Sequence, residues 1–198
     1  TSALEDITHV IEVMEDCKKI GINFSLDDFG TGYSSLTYLK RLPVSELKID
    51  QSFVRDMLQD PDDLAILDGV ISVASAFRRE VVAEGVESIK QGEVLLRMGC
   101  NIAQGYVIAR PMPAENIEKW IVEWKPDAKW LGLAPISRDD LPILYAIVEH
   151  TAWINNIITY IEGRHSIIPE QDHYQCRFGQ WFYTLGSNYY KENSEFKL

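Results

Sequence analysis

The sequence predicts an α/β fold, half of a (β/α)8 TIM-type barrel, followed by a small all-α piece. Two observations carry this reading. Short apolar runs alternate four times with helical patterns, which implies a parallel sheet with crossover helices. Each run also ends in polar residues, namely Asp27 and Asp28, Lys48 and Asp50, Glu84 and Glu87, and Gln104. In a parallel array those ends lie on one side, and four units are half of an eight-stranded barrel whose site sits at that face. An open doubly wound sheet is the alternative and also binds ligands beyond its strand ends.

The elements follow in order. Leu4, Ile7, Val10, Ile11, Met14, Cys17 and Ile20 recur at helical spacing, so Thr1 to Ile20 reads as an amphipathic helix. INFSLDDFG after Gly21 reads as a buried strand, and a helix through Leu36 and Leu39 stops before Pro43. VSELKID is the second strand. A long helical stretch with Leu64, Ile66, Leu67, Val70, Ile71, Val73, Ala74 and Phe77 leads to the third strand, EVVAEGVE. Gln91 to Met98 is helical with Gly99 as its stop, NIAQGYVIA is the fourth strand, and Ala114 to Trp124 is a further helix. These elements define a first domain over 1–125. Residues 126–140, with two prolines and mixed polarity, read as a linker. In 141–198, Asp139 or Asp140 offers an N-cap and Pro142 fits the first turn of a helix carrying Leu141, Leu144, Tyr145, Val148, Ala152 and Ile157.

Composition bounds the function. A hydrophobic content of 46% over 198 residues supports a sizeable core. The formal charge of −11 and a pI near 4.8 argue against nucleic acid polymers as partners, which need a basic footprint. No apolar run reaches the roughly 20 residues of a membrane-spanning helix. Three widely spaced cysteines without a C-x-x-C pair oppose a disulfide framework, and a reducing, cytoplasmic setting is expected.

Asp27, Asp28, Lys48, Asp50, Glu84 and Glu87 are too many charges on one rim for packing alone. Adjacent carboxylates repel unless a cation, a shared proton or open water relieves them. Hard oxygen donors suit Mg2+ or Mn2+, which often bind beside phosphates. A lysine among them can orient a water or stabilise a leaving oxygen.

LDDFGTGYSSL, LKID, VVAEGVE, AQGY and RPMP, in this order, resemble the EAL-domain family of cyclic di-GMP phosphodiesterases over Thr1 to about Trp124. The resemblance implies a (β/α)8 barrel and hydrolysis of one phosphodiester of cyclic di-GMP to linear pGpG, with Mg2+ or Mn2+ in a two-metal site. It assigns Asp27 as a carboxylate shared by both metals, with Asp28 and Glu84 on the second. Lys48 and Asp50 stand by the nucleophilic water, Gln104 borders the site, and Glu87 holds the loop containing Gly30, Thr31 and Gly32. Homodimerisation is implied in the same way.

The family's Glu-Ala-Leu motif does not occur in this sequence, and neither do the asparagine and second glutamate that the resemblance places on the intervening strands. The chain therefore matches the C-terminal half of the barrel, and alone it is expected to show little or no turnover. A catalytically silent cyclic di-GMP receptor is the alternative of another class, and a single-metal barrel hydrolase is a third reading. The intact rim residues favour the phosphodiesterase.

The tail carries HTAW at His150 to Trp153 and CRFGQW at Cys176 to Trp181. By residue type alone, two zinc donors do not make a site. The combination resembles the chemoreceptor zinc-binding (CZB) domain, a helical module. That resemblance implies Zn2+ held by His150 and Cys176 with two histidines of a later helix, which lie beyond Leu198, so the domain is truncated and its zinc site partial. Zinc binding would tune the barrel's output. His165 and His173 do not occupy the family's ligand positions; His173, three residues before Cys176, is a candidate substitute ligand, but a loop histidine without that role is the favoured reading.

Overall fold

The structure is a computed structural model that describes residues 2–31, 36–169, 172 and 174–186. Four strands form a parallel sheet in sequential order: β1 (Ser25–Phe29), β2 (Glu46–Ile49), β3 (Glu80–Ala83) and β4 (Ile102–Ala103). Between them run α2 (Leu36–Arg41), then α3 (Gln51–Asp56) with α4 (Pro61–Ala76), then α5 (Ile89–Arg97); α1 (Ser2–Lys19) precedes the sheet and α6 (Ile117–Glu123) follows it. The chain divides into two compact units, Thr1–Met57 with Asp62–Pro135, and Leu58–Pro61 with Ile136–Leu198.

In the first unit the alternation of β2 decides which side chains meet the site. Leu47 and Ile49 are fully buried while Glu46 and Lys48, which alternate with them, are not, as a period of two requires. Leu64, Leu67, Val70 and Ala74 give α4 its buried stripe at spacings of three and four residues. Val82, Ala83, Val94 and Leu95 extend the core across β3 and α5. Each of these valines and leucines contributes about 1.5–3 kcal/mol on full burial, and each alanine less. The stripe expected on α1 forms, but none of its described side chains is buried, and Val10 and Val13 are each 48% exposed.

Several boundaries differ from the sequence reading. The fourth strand was expected to span NIAQGYVIA, yet β4 ends after Ala103 because the chain turns at Gly105, where Ile108 and Ala109 donate back to the Gly105 carbonyl. A Cβ on Gly105 would lie 2.1 Å from the Val86 oxygen, so only glycine allows this approach. The third strand likewise stops at Ala83, before Glu84 and Glu87. The short helix α3 falls within QSFVRD, too brief to show periodicity.

Trp130 sits in a 3-10 turn (Ala128–Trp130) inside the stretch expected to be a linker. Its indole N–H donates to the Ile89 carbonyl at 2.9 Å, and its ring lies over Gly92.

The second unit contains α7 (Leu141–Ile161) and α8 (Arg177–Trp181), which pack on each other. Asp140 occupies the N-cap position with Pro142 in the first turn, but no side-chain cap bond comes from Asp140. Ser137 serves instead, its hydroxyl accepting from the Asp140 N–H at 3.1 Å and donating to the Asp140 carboxylate at 2.8 Å.

Candidate metal centre at the strand ends

The site begins with an irregularity in β1. Leu26 pairs with Leu47 and Phe29 with Ile49, so Asp27 and Asp28 together fill the space of one partner residue. This is a β-bulge, and Asp28 takes the left-handed conformation with φ of 51°. In a regular strand neighbours point to opposite faces. The bulge breaks that rule, and carboxylate oxygens of Asp27, Asp28 and Glu84 all lie within 4.8 Å of one another.

Lys48 enters from β2, its ammonium 2.8 Å from Asp27 Oδ1 and 2.5 Å from Glu84 Oε1. Glu84 follows β3, where its N–H donates to the Ile49 carbonyl at 3.2 Å. Gln104 follows β4 and donates its side-chain amide to Glu84 Oε1 at 2.7 Å. The Gln104 backbone is fixed on both sides, donating to the Ala83 carbonyl and accepting from the Val86 N–H. Asp50, just beyond β2, caps α3 by accepting from the Ser52 N–H at 2.8 Å and from the Ser52 hydroxyl.

The electrostatics follow from four carboxylates sharing one ammonium. Bonds to Asp27 and Glu84 hold the Lys48 proton and raise its pKa well above the ordinary lysine value, so it is a fixed cation rather than a base. The Ser52 hydroxyl and backbone bonds hold Asp50 below the usual carboxylate value. Asp28 is pushed the other way, first by partial shielding from water, then by the charges of Asp27 and Asp50 and a hydrogen bond with Asp50. The negative charge at Asp28 is thus incompletely relieved by protein groups. An all-oxygen donor set with surplus negative charge fits a hard divalent cation. Among the described residues, Asp27, Asp28 and Glu84 are the one cluster of this kind.

Asp27, Asp28, Lys48, Asp50, Glu84 and Gln104 therefore come together. Glu87 is exposed, and its described bond is through its backbone N–H, donated to the Gln91 side chain at 2.9 Å. Gly30 has a φ of 110° and a Cβ there would lie 2.8 Å from the Phe53 ring, while the Thr31 hydroxyl bonds the Asp28 carbonyl at 2.9 Å. Gly32 and the loop to Ser35 lie outside the described residues.

In the second unit His150 is exposed and stacks on Trp153 at 5.7 Å. Cys176 caps α8, its sulfur accepting from the Gly179 N–H at 3.2 Å. His173 lies outside the described residues.

Sequence reasoning missed Ser52 and Gln91. The signal for Gln91 was legible in Ser88-Ile89-Lys90-Gln91, a capping-box pattern that the structure forms in full.

Parallel strands with crossover helices and an acidic cluster at the strand ends define a TIM-barrel type α/β protein. The chain belongs to the EAL domain family, whose model matches residues 1–111. The chemoreceptor zinc-binding domain model matches residues 150–197. The chain is 46% identical over 117 residues to the bifunctional diguanylate cyclase/cyclic di-GMP phosphodiesterase MucR of Pseudomonas aeruginosa, covering 59% of this chain and 17% of MucR. It is similar to the solved PaMucR phosphodiesterase in complex with c-di-GMP, with a TM-score of 0.54 and 46% identity over 59% of this chain and 47% of that one. The EAL domain of Mycobacterium smegmatis DcpA gives a TM-score of 0.57 at 41% identity over 60% of this chain and 53% of that one. The chain thus spans about half of these solved chains and about a sixth of the curated relatives it matches.

Proposed function

We propose that this chain supplies the metal-holding C-terminal half of a cyclic di-GMP phosphodiesterase that hydrolyses one phosphodiester to give linear pGpG. The observation that carries the reading is the bulge that brings Asp27 and Asp28 beside Glu84 at the sheet's carboxyl edge. Asp27, Asp28 and Glu84 would hold Mg2+ or Mn2+. When bound, such ions neutralise phosphate charge and make water a better nucleophile.

The chain's own groups do the rest. Lys48 keeps its charge across the neutral range and donates hydrogen bonds towards a phosphate oxygen or the attacking water, which favours the more negative transition state. Gln104 fixes the Glu84 carboxylate through its amide. Asp50, an ionised acceptor, orients the water.

The test is conversion of cyclic di-GMP to pGpG by the intact protein with Mg2+ or Mn2+, with Asp27→Asn as the control. Tight metal binding without pGpG would remove the reading.

The match of the second unit to a zinc-binding domain, together with His150 and Cys176, supports partial zinc ligation there. In this reading zinc tunes the phosphodiesterase. Metal analysis and rate measurement on the intact protein with and without a zinc chelator test it, and an unchanged rate after zinc has left would discard the regulatory role.

A further inference from the structure

Gln91 is the one buried polar or charged side chain among the described residues, 6% exposed. A buried amide needs all its hydrogen bonds, and the way it obtains them is specific. Its oxygen accepts from the Glu87 and Ser88 N–H groups, both at 2.9 Å, and its amide nitrogen donates to the carbonyls of Val54 at 2.9 Å and Arg55 at 3.3 Å. One side chain therefore fastens the loop after β3 to the carbonyl end of α3.

Both fastened segments carry site residues. The loop after β3 starts with Glu84, and α3 starts with its cap, Asp50. Between Glu84 and Glu87 the chain has little slack, since a Cβ on Gly85 would lie 2.6 Å from Gln51 Cβ and the Val86 N–H bonds the Gln104 carbonyl. Gln51 is the first residue of α3, so the loop touches that helix at its start and is tied by Gln91 to its end.

We infer that Gln91 is a positioning residue that sets the separation of Glu84 from Asp50, and through it the geometry of the metal centre. The inference rests on the phosphodiesterase reading of the site. Gln91 acts through the loop and α3, not by contact with substrate or metal. Its part resembles that of groups that orient metal ligands, whose loss typically costs 10–100-fold in metal affinity or activity.

The experiment compares the intact protein with Gln91→Leu, which keeps the bulk and removes both arms, and with Ser88→Ala, a milder change that removes the Ser88 hydroxyl's bond to the Gln91 side-chain oxygen at 3.1 Å and its cap on the Gln91 N–H at 3.2 Å. Hydrogen exchange in the metal-free protein reads the loop, Mn2+ titration followed by electron paramagnetic resonance reads the site, and cyclic di-GMP kinetics separate kcat from KM. For Gln91→Leu, amides of Glu84 to Ser88 should exchange faster, Mn2+ affinity and kcat should fall about tenfold or more, and KM should change less than threefold. Ser88→Ala should show the same pattern in smaller amplitude, and it decides the matter if Gln91→Leu does not fold.

Variants that lose thermal stability while loop exchange, Mn2+ affinity and kcat stay at the parent values would overturn the inference. A parent protein that binds no Mn2+ and makes no pGpG would instead overturn the phosphodiesterase reading, and the exchange measurement would still judge Gln91's hold on the loop.

Discussion

Lys48 stands between Asp27 and Glu84, its ammonium 2.8 Å from one carboxylate and 2.5 Å from the other. The same two carboxylates are candidate metal donors, so the lysine and a cation compete for their charge. Replacing Lys48 with Met should therefore strengthen Mn2+ binding while lowering phosphodiester hydrolysis by about 100-fold or more. Weaker binding in a folded Lys48→Met protein, seen by calorimetric titration, would show that the ammonium organises the carboxylates rather than competing.

Asp28 gives a prediction with a definite sign. Its folded pKa lies above the ordinary value of 3.8, so the folded state favours the protonated carboxyl. Stability linked to this group is present at low pH and is lost as pH rises through the raised pKa. Asp28→Asn should raise the Tm of the metal-free protein at neutral pH, with a gain that shrinks on acidification. With Mn2+ present the order should reverse, because the parent gains binding energy that the variant lacks. Calorimetric scans at two pH values, with and without metal, check both halves.

Asp50 behaves oppositely. Its pKa is depressed by Ser52, so its contribution to stability is full above the unfolded value near 3.8 and is lost as pH falls through the lower folded value. Ser52→Ala removes the hydroxyl bond and leaves the backbone one. The Asp50 pKa, followed by NMR titration, should rise part of the way back, and stability at neutral pH should drop by about 1 kcal/mol.

Gly105→Ala should cost about 2–3 kcal/mol or more, because the new methyl meets the Val86 backbone, which cannot swing aside. Denaturant unfolding measures it. A cost under 0.5 kcal/mol would mean that the Gly105 turn is not needed to place Gln104.

The sequence made the sheet, its order and its acidic edge legible because polar residues ended successive apolar runs. It did not reveal how Asp27 and Asp28 reach one side. The left-handed turn at Asp28 is permitted to aspartate but not demanded by it, and pairing with β2 selects it. The length of β4 was overread because Val107, Ile108 and Ala109 look like strand residues, whereas contact between Gly105 and Val86 ends the ladder. Ser52 carries no charge pattern, and its bond to Asp50 exists only once α3 is in place. The capping box announces Gln91 as a helix start, but its bonds to Val54 and Arg55 exist only once α3 and α5 meet.

The bulge in β1 also limits how the site can vary. Substituting Asp27, or replacing Asp28 with asparagine, which tolerates the left-handed backbone, removes one candidate donor and keeps the bulge that positions the other. Deleting either one removes the extra residue, restores simple alternation to the strand and leaves a single carboxylate opposite β2. For protein engineering, these two kinds of edit are therefore different tools. Substitution grades the affinity of the proposed cation site, whereas deletion erases the local backbone shape on which any pair of neighbouring donors at this position depends.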